Sequence, residues 1–302
     1  MNETEKRRVE TCGTDSLKKA LSAGAQVIEY DEYPALLHES GNVSPALFVK
    51  GSVECLNAPT VAIVGTRSAS HYGKACAFKF AQALARAGVT VVSGGALGID
   101  AAAHKGALDG GGKTAAVLAT GIDSVYPPIH HDLFRRISES GCLVSQFAVG
   151  SKIADYKFLI RNVLVASLSS AVIVIEAPQK SGAISTATAA NELGREVFVV
   201  PANIDMFSFQ GSFSLLRDGA TMVTHPDQIL ESLHIDPIQP LEFPKASTGG
   251  ELILSTLSVQ PLQVEFIVER TGMETAEVLS ELTDLELEGR VVRTSGGYAI
   301  TL

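Results

Sequence analysis

The chain has 302 residues, 46% of them hydrophobic and 19% charged, with a formal net charge of −9. That much apolar material supports one large domain and a small one. The acidic balance excludes a protein that coats duplex DNA by bulk charge, though a local basic pocket remains compatible. With no Trp and 6% aromatic residues, a wide base-stacking platform is excluded too.

The N-terminal stretch MNETEKRRVE lacks an apolar h-region, and no apolar run approaches the length of a membrane span. Cys12, Cys55, Cys76 and Cys142 form no C-x-x-C and no zinc spacing. A soluble cytoplasmic protein with reduced thiols, no metal and no membrane partner is expected.

Residues 1–30 read as a polar N-terminal extension with a weak helix near Ser16–Ser22. Tyr33–Leu37 reads as a short helix and Pro45–Gly51 as a strand. Residues 31–235 form the main domain. Buried strands are predicted at Val61–Val64, Val89–Val92, Thr114–Leu118, Leu143–Ser145, Ala171–Ile175 and Glu196–Val200, with helices such as Gly73–Ala87, Ile99–Leu108 and Ile184–Leu193 between them. This alternation predicts an α/β, doubly wound, mostly parallel sheet covered on both faces. Its ligands bind beyond the carboxyl ends of the strands.

The stretch Thr60–Ser70 organises the domain. A strand buried on both faces ends at Gly65, and Thr66, Arg67 and Ser68 follow before a helix near Tyr72. Glycine permits close backbone approach, helix-opening amides suit an anion, and an arginine fork fits phosphate. The pattern is neither G-x-G-x-x-G nor a Walker loop, and a solvated surface arginine is the alternative. Other polar segments follow the later strands: Gly94, Gly95 and Gly98 with Asp100, Lys157-Phe158 with Arg161-Asn162, Lys180-Ser181-Gly182, and Asn203. Four such segments on one rim favour binding over mere solvation.

Residues 236–250, with Pro237, Pro240, Pro244, Gly249 and Gly250, read as a linker. Residues 251–302 read as three helices and a hairpin, a winged-helix module. Its third helix carries Glu274, Glu277, Glu281, Asp284 and Glu286 without Lys or Arg. That charge opposes reading of DNA by this helix and favours a protein-contact or structural role.

With these segments assembled, the chain resembles the bacterial DNA-processing family DprA, also called Smf, from about Tyr33 to the C-terminus. The motifs are VAIVGTRSAS, VVSGGALGIDAAAHKGAL, FLIRN, EAPQKSG, GREVFVVPANID and LTDLELEGRVVRTSGGY. The resemblance implies an extended Rossmann-like domain followed by a winged helix. It implies non-catalytic binding of single-stranded DNA, a homodimer, help in loading the RecA recombinase during natural transformation, and no cofactor. By position, Gly65, Thr66 and Arg67 would grip phosphate, Phe158, Arg161 and Asn162 would form a second wall, and Lys180-Ser181-Gly182 a third. Ser68, Gly94, Gly98, Lys157 and Asn203 complete the expected DNA-binding set. Many relatives also carry an N-terminal helical domain; with about 30 residues ahead of the matching part, that domain is expected to be missing or vestigial.

Several positions depart from the family pattern. Leu97 and Val163 stand where arginines are usual, Asp155 where a basic residue is, Ala202 for a glycine and Phe213 for an asparagine. Fewer phosphate contacts and a flatter salt dependence are expected.

The alternative is a nucleotide-binding sensor or a phosphoribohydrolase-like enzyme on the same sheet. The matching turn, Lys180 to Thr186, has one glycine and no glutamate, unlike the P-G-G-x-G-T-x-x-E signature of those hydrolases. Glu176 and Asp100 lack a base–orienter partner. Adjacent His130 and His131 make a poor metal pair, and surface-loop roles are expected for Glu176 and the two histidines.

Overall fold

The computed structural model describes residues 14–41, 44–235, 249–258 and 261–301. The chain divides into two compact units, Met1–Leu241 and Glu242–Leu302.

The first unit is built on a nine-stranded sheet in the order β1-β2-β6-β5-β4-β3-β7-β8-β9. The strands are β1 (Gln26–Glu29), β2 (Ala46–Gly51), β3 (Thr60–Val64), β4 (Thr90–Ser93), β5 (Thr114–Val117), β6 (Cys142–Ser145), β7 (Ala171–Val174), β8 (Glu196–Val199) and β9 (Thr221–Met222). From β6 to β9 every pairing is parallel, whereas β1 and β2 join antiparallel at one edge. The main helices are α1 (Thr14–Ser22), α2 (Ala35–Glu39), α3 (His71–Arg86), α4 (Ile99–Asp109), α5 (His131–Ser140), α6 (Asp155–Ser167), α7 (Gly182–Glu192), α8 (Gln210–Arg217) and α9 (Asp227–Ser232).

The unbroken apolar run of β3 has a direct packing cause. Val61 and Ile63 enter a core with α3 and α4 residues such as Ala77, Leu84 and Ile99. Ala62 and Val64 enter the opposite core, with Leu164 of α6 and Ala187 of α7. Alternate side chains from Val61 to Val64 therefore both meet apolar layers, which explains the missing alternation. The chain runs outward from β3 through β4, β5 and β6, then returns to place β7 on the other side of β3. Strand order reverses there, which opens a crevice at the carboxyl ends of β3, β4 and β7.

Three expectations need correction. The boundary at residue 30 is too late, because Gln26–Glu29 pairs with β2 and belongs to the sheet. Four residues with one exposed end are too short to show a period. Lys157 to Asn162 lie on α6, not in a rim loop. Its polar Lys157, Arg161 and Asn162 are buried while Leu159 and Ile160 are exposed, so the usual polarity pattern of a helix is inverted. Gly249 and Gly250 open a helix and are not linker, while 236–248 lie outside the described residues.

The second unit contains α10 (Gly249–Thr256), α11 (Val264–Thr271) and α12 (Thr275–Leu287), then the antiparallel hairpin β10 (Val291–Thr294) and β11 (Gly297–Ile300). Ile253, Ile267, Val278, Leu282, Leu285, Val291 and Tyr298 form its core. Gly272 ends α11 at φ +68°, the left-handed cap that suits glycine. This is the expected winged-helix arrangement.

Candidate nucleic-acid interface

A cleft of about 300 Å³ opens at the crevice. Its walls include Gly65, Thr66 and Arg67 after β3, Gly94 after β4, Phe158, Arg161 and Asn162 on α6, and Lys180, Ser181 and Gly182 after β7. The turns after β3 and β7 are tied together, Thr66 N donating to Glu176 O at 2.8 Å.

Arg67 is exposed and has no ion-pair partner among the described residues. Its guanidinium lies 4.6 Å from the centroid of the Phe158 ring. A cation held on an aromatic face keeps its edge donors free for an anion. Lys180 is likewise exposed at the cleft. Ser181 caps α7 by accepting from Ala183 N at 3.2 Å. Asn162 spans the walls, its Nδ2 donating to Gly182 O at 3.1 Å and Ser185 Oγ at 2.9 Å. Two cations and a helix N-terminus thus share one small cleft, which suits a phosphate group.

Arg161 behaves differently from Arg67. It is 5% exposed. Its Nη1 donates to Val117 O at 2.8 Å and also to Gly94 O, and its Nε donates to Asn162 Oδ1 at 3.1 Å. The guanidinium joins the ends of β4 and β5 to α6. Asp100 lies close by, accepting from Gly94 N at 3.1 Å and Ala96 N at 3.3 Å. Burial pushes the Asp100 carboxyl up and the Arg161 charge opposes that shift.

The glycines also have a packing cause within the chain. A β-carbon on Gly65 would lie 2.4 Å from Ile99 Cγ1, and one on Gly98 would lie 2.3 Å from Thr66 O. The close approach inferred from sequence is real, but its partners here are the chain's own atoms.

Ser68, Gly98, Lys157 and Asn203, predicted as DNA contacts, do not line the cleft. Gly98 packs beneath the Thr66–Arg67 turn. Ser68 N turns back to Thr66 Oγ1 at 3.3 Å. Asn203 is exposed in the segment after β8, where its carbonyl accepts from Met206 N at 3.1 Å. Lys157 is 8% exposed, with Nζ donating to Ser151 Oγ at 2.5 Å and Lys152 O at 2.6 Å. It fastens the loop before α6, whereas Asp155 lines the cleft.

Val163, where arginine is usual, lines a separate hollow with Leu37 and Ile160. Helix α6 presents positions 158, 162 and 165 to the cleft, and position 163 is rotated away. Leu97, by contrast, lines a smaller recess with Arg67, Tyr126 and Phe158. Sequence reading missed Pro178, Ala183 and Thr186 of the cleft wall; helical spacing from Gly182 to Thr186 is the signal that could have found the last.

Glu176 and His130 are buried, contrary to the surface roles expected. Glu176 Oε2 accepts from Ser70 N at 3.0 Å and Ser70 Oγ at 2.7 Å, and Ser70 in turn caps α3. His130 Nδ1 lies 3.0 Å from Gly95 O. Among the described residues no cluster of three or more His, Cys, Asp or Glu could hold a metal ion, and no helix is long and apolar enough to cross a membrane.

Comparison with known proteins follows the same division of the chain. The model of DNA recombination-mediator protein A matches residues 25–234, and that of the DprA winged helix domain matches residues 244–297. Protein Smf of Escherichia coli K12 is 36% identical, over 88% of this chain and 74% of that protein. The DNA processing protein DprA of Streptococcus pneumoniae R6 is 38% identical, over 66% of this chain and 71% of its own length. An X-ray structure of DprA from S. pneumoniae has a TM-score of 0.66 at 35% identity, covering 71% of this chain and 77% of that one. A structure describing the single-stranded DNA binding mode of DprA from Helicobacter pylori has a TM-score of 0.64 at 29% identity, covering 70% and 97%. The Rossmann-like domain, the winged helix and this breadth of identity together mean that the chain belongs to the DNA recombination-mediator protein A family, DprA or Smf.

Proposed function

We propose that the cleft binds the backbone of single-stranded DNA without catalysing a reaction on it. The chain would act in DNA processing during transformation, protecting the strand and helping to load RecA as a homodimer. Membership of the DprA family and the single-strand binding described for the H. pylori relative support this reading. The observation that carries it is Arg67, exposed, without an ion-pair partner among the described residues, and set on Phe158 in the cleft that Lys180 and the capped start of α7 share.

A local pocket on an acidic chain can grip a flexible backbone but cannot follow a rigid duplex by charge. Fluorescence anisotropy with labelled single strand, duplex and mononucleotide, at two salt concentrations, tests this. Tighter single-strand binding that weakens with salt is expected. Equal or tighter duplex binding would sink the proposal.

The second reading, a nucleotide-binding sensor or hydrolase, is favoured by the cleft volume of about 300 Å³, within the range of small-molecule sites. Asp100 is the buried carboxylate of the cleft, yet backbone amides already occupy it. Saturable mononucleotide binding that displaces DNA would move the assignment to this reading.

A further inference from the structure

A pair of buried thiols meets at the end of the sheet away from the cleft. Cys142 opens β6 and is the register partner of Gly51 in β2. Cys55 lies in the short helical turn Val53–Asn57 that follows β2. Both residues are 0% exposed, and their sulfurs are 3.4 Å apart. Hydrogen bonds hold the turn in place: Ser52 N donates to Gly141 O at 2.9 Å, and Thr90 Oγ1 donates to Cys55 O at 2.7 Å. Gly51, at φ +107°, brings the chain against Gly141, where a β-carbon would lie 2.3 Å from its carbonyl oxygen.

We propose that Cys55 and Cys142 are a modification site, closing to a reversible internal disulfide when the protein meets hydrogen peroxide. The sulfurs must approach by about 1.4 Å to reach bonding distance. The Cys55 thiolate attacks a peroxide oxygen and the O–O bond breaks, giving a sulfenic acid and hydroxide. The thiol proton neutralises the hydroxide to water. The Cys142 sulfur then attacks the Cys55 sulfur; the S–S bond forms and the S–O bond breaks. The Cys142 proton leaves with that oxygen as a second water. Two thiols are oxidised by two electrons and one peroxide is reduced to two waters.

The roles within the pair are unequal. The hydrogen bond between the two sulfurs holds the Cys55 thiol below its usual range, and the nearby Lys113 charge acts in the same direction. The same bond, with burial, raises Cys142 well above its usual value. Cys55 is therefore the attacking sulfur and Cys142 the resolving one. Burial of both favours the internal bond over an adduct, because a small peroxide enters on a brief local opening whereas a bulky thiol is excluded.

The test uses the full chain. It is treated with graded hydrogen peroxide, denatured in an alkylating agent, and mapped by mass spectrometry without reductant. The expected product is a peptide pair linking Cys55 to Cys142 that dithiothreitol separates. Cys55→Ser and Cys142→Ser should each abolish it while Cys76, which bonds to no other sulfur among the described residues, stays alkylated. Single-strand DNA affinity should be unchanged, since neither sulfur lines the cleft. Full alkylation of both cysteines after treatment would overturn the proposal, as would a bond from either one to Cys12 or Cys76, or a mixed disulfide with added glutathione.

Discussion

Arg161 occupies the space that any side chain on Gly94 would need: an ideal β-carbon there lies 2.3 Å from Nη1 of Arg161. Glycine at 94 and arginine at 161 are thus one structural decision, made across 67 residues of sequence. Gly94→Ala should expel the guanidinium and leave Gly94 O and Val117 O without their donor. Arg161→Ala should do the same without adding bulk. Each is expected to lower stability by about 3 kcal/mol, the scale for stranding buried polar partners. Urea denaturation measures this; a variant that binds DNA poorly at full stability would return Arg161 to the ligand.

Arg67 and Lys180 should behave in the opposite way. Both are exposed, so their replacement by Ala should leave the melting temperature nearly unchanged. Arg67→Ala should cost about 1–3 kcal/mol of single-strand affinity, the range for a charge-assisted hydrogen bond. Lys180→Ala should flatten the log–log salt slope by about 0.7, one phosphate's share. Lys157→Ala should destabilise the loop before α6 and leave the slope alone. Anisotropy titrations across salt, with melting curves on the same samples, separate the three.

The positions where relatives carry arginine can be tested singly. Leu97→Arg would add charge beside Arg67 and Phe158, so the salt slope should steepen by about 0.7. Val163→Arg would add charge in the hollow beside Leu37, so the slope should not move. Equal steepening by both substitutions would mean that DNA runs over both sides of α6.

His104 sets an acid limit. It is fully buried, its Nδ1 lying 2.7 Å from Thr114 Oγ1, and its Nε2 has no hydrogen-bond partner among the described residues. Burial pulls its pKa from the ordinary 6.5 down to about 3, with the nearby His130 and Arg161 charges adding to the effect. A depressed pKa means that the unfolded chain binds the proton more readily. The stability is therefore present above pH 6.5 and is lost as pH falls toward 3. His104→Gln should reduce the steepness of melting temperature against pH across that window, whatever its effect at neutral pH. An unchanged profile would place the acid sensitivity elsewhere.

Sequence alone determined the alternation of strands and helices, the parallel sheet and the winged helix, because burial on two faces leaves unbroken apolar runs and burial on one face leaves a period. It also located the turns of Gly65–Arg67 and Lys180–Gly182, since ligands collect where such strands end. What it could not decide was the use of each basic side chain. Arg67, Lys157 and Arg161 are the same kind of residue in a one-dimensional reading. Only the packed α6 turns Arg161 onto the carbonyls of Gly94, just past β4, and Val117 in β5, and Lys157 onto its preceding loop, while Arg67 rests on the Phe158 ring. A cation's role depends on which acceptors lie within about 3 Å of it, and those acceptors come from strands and loops far away in the chain.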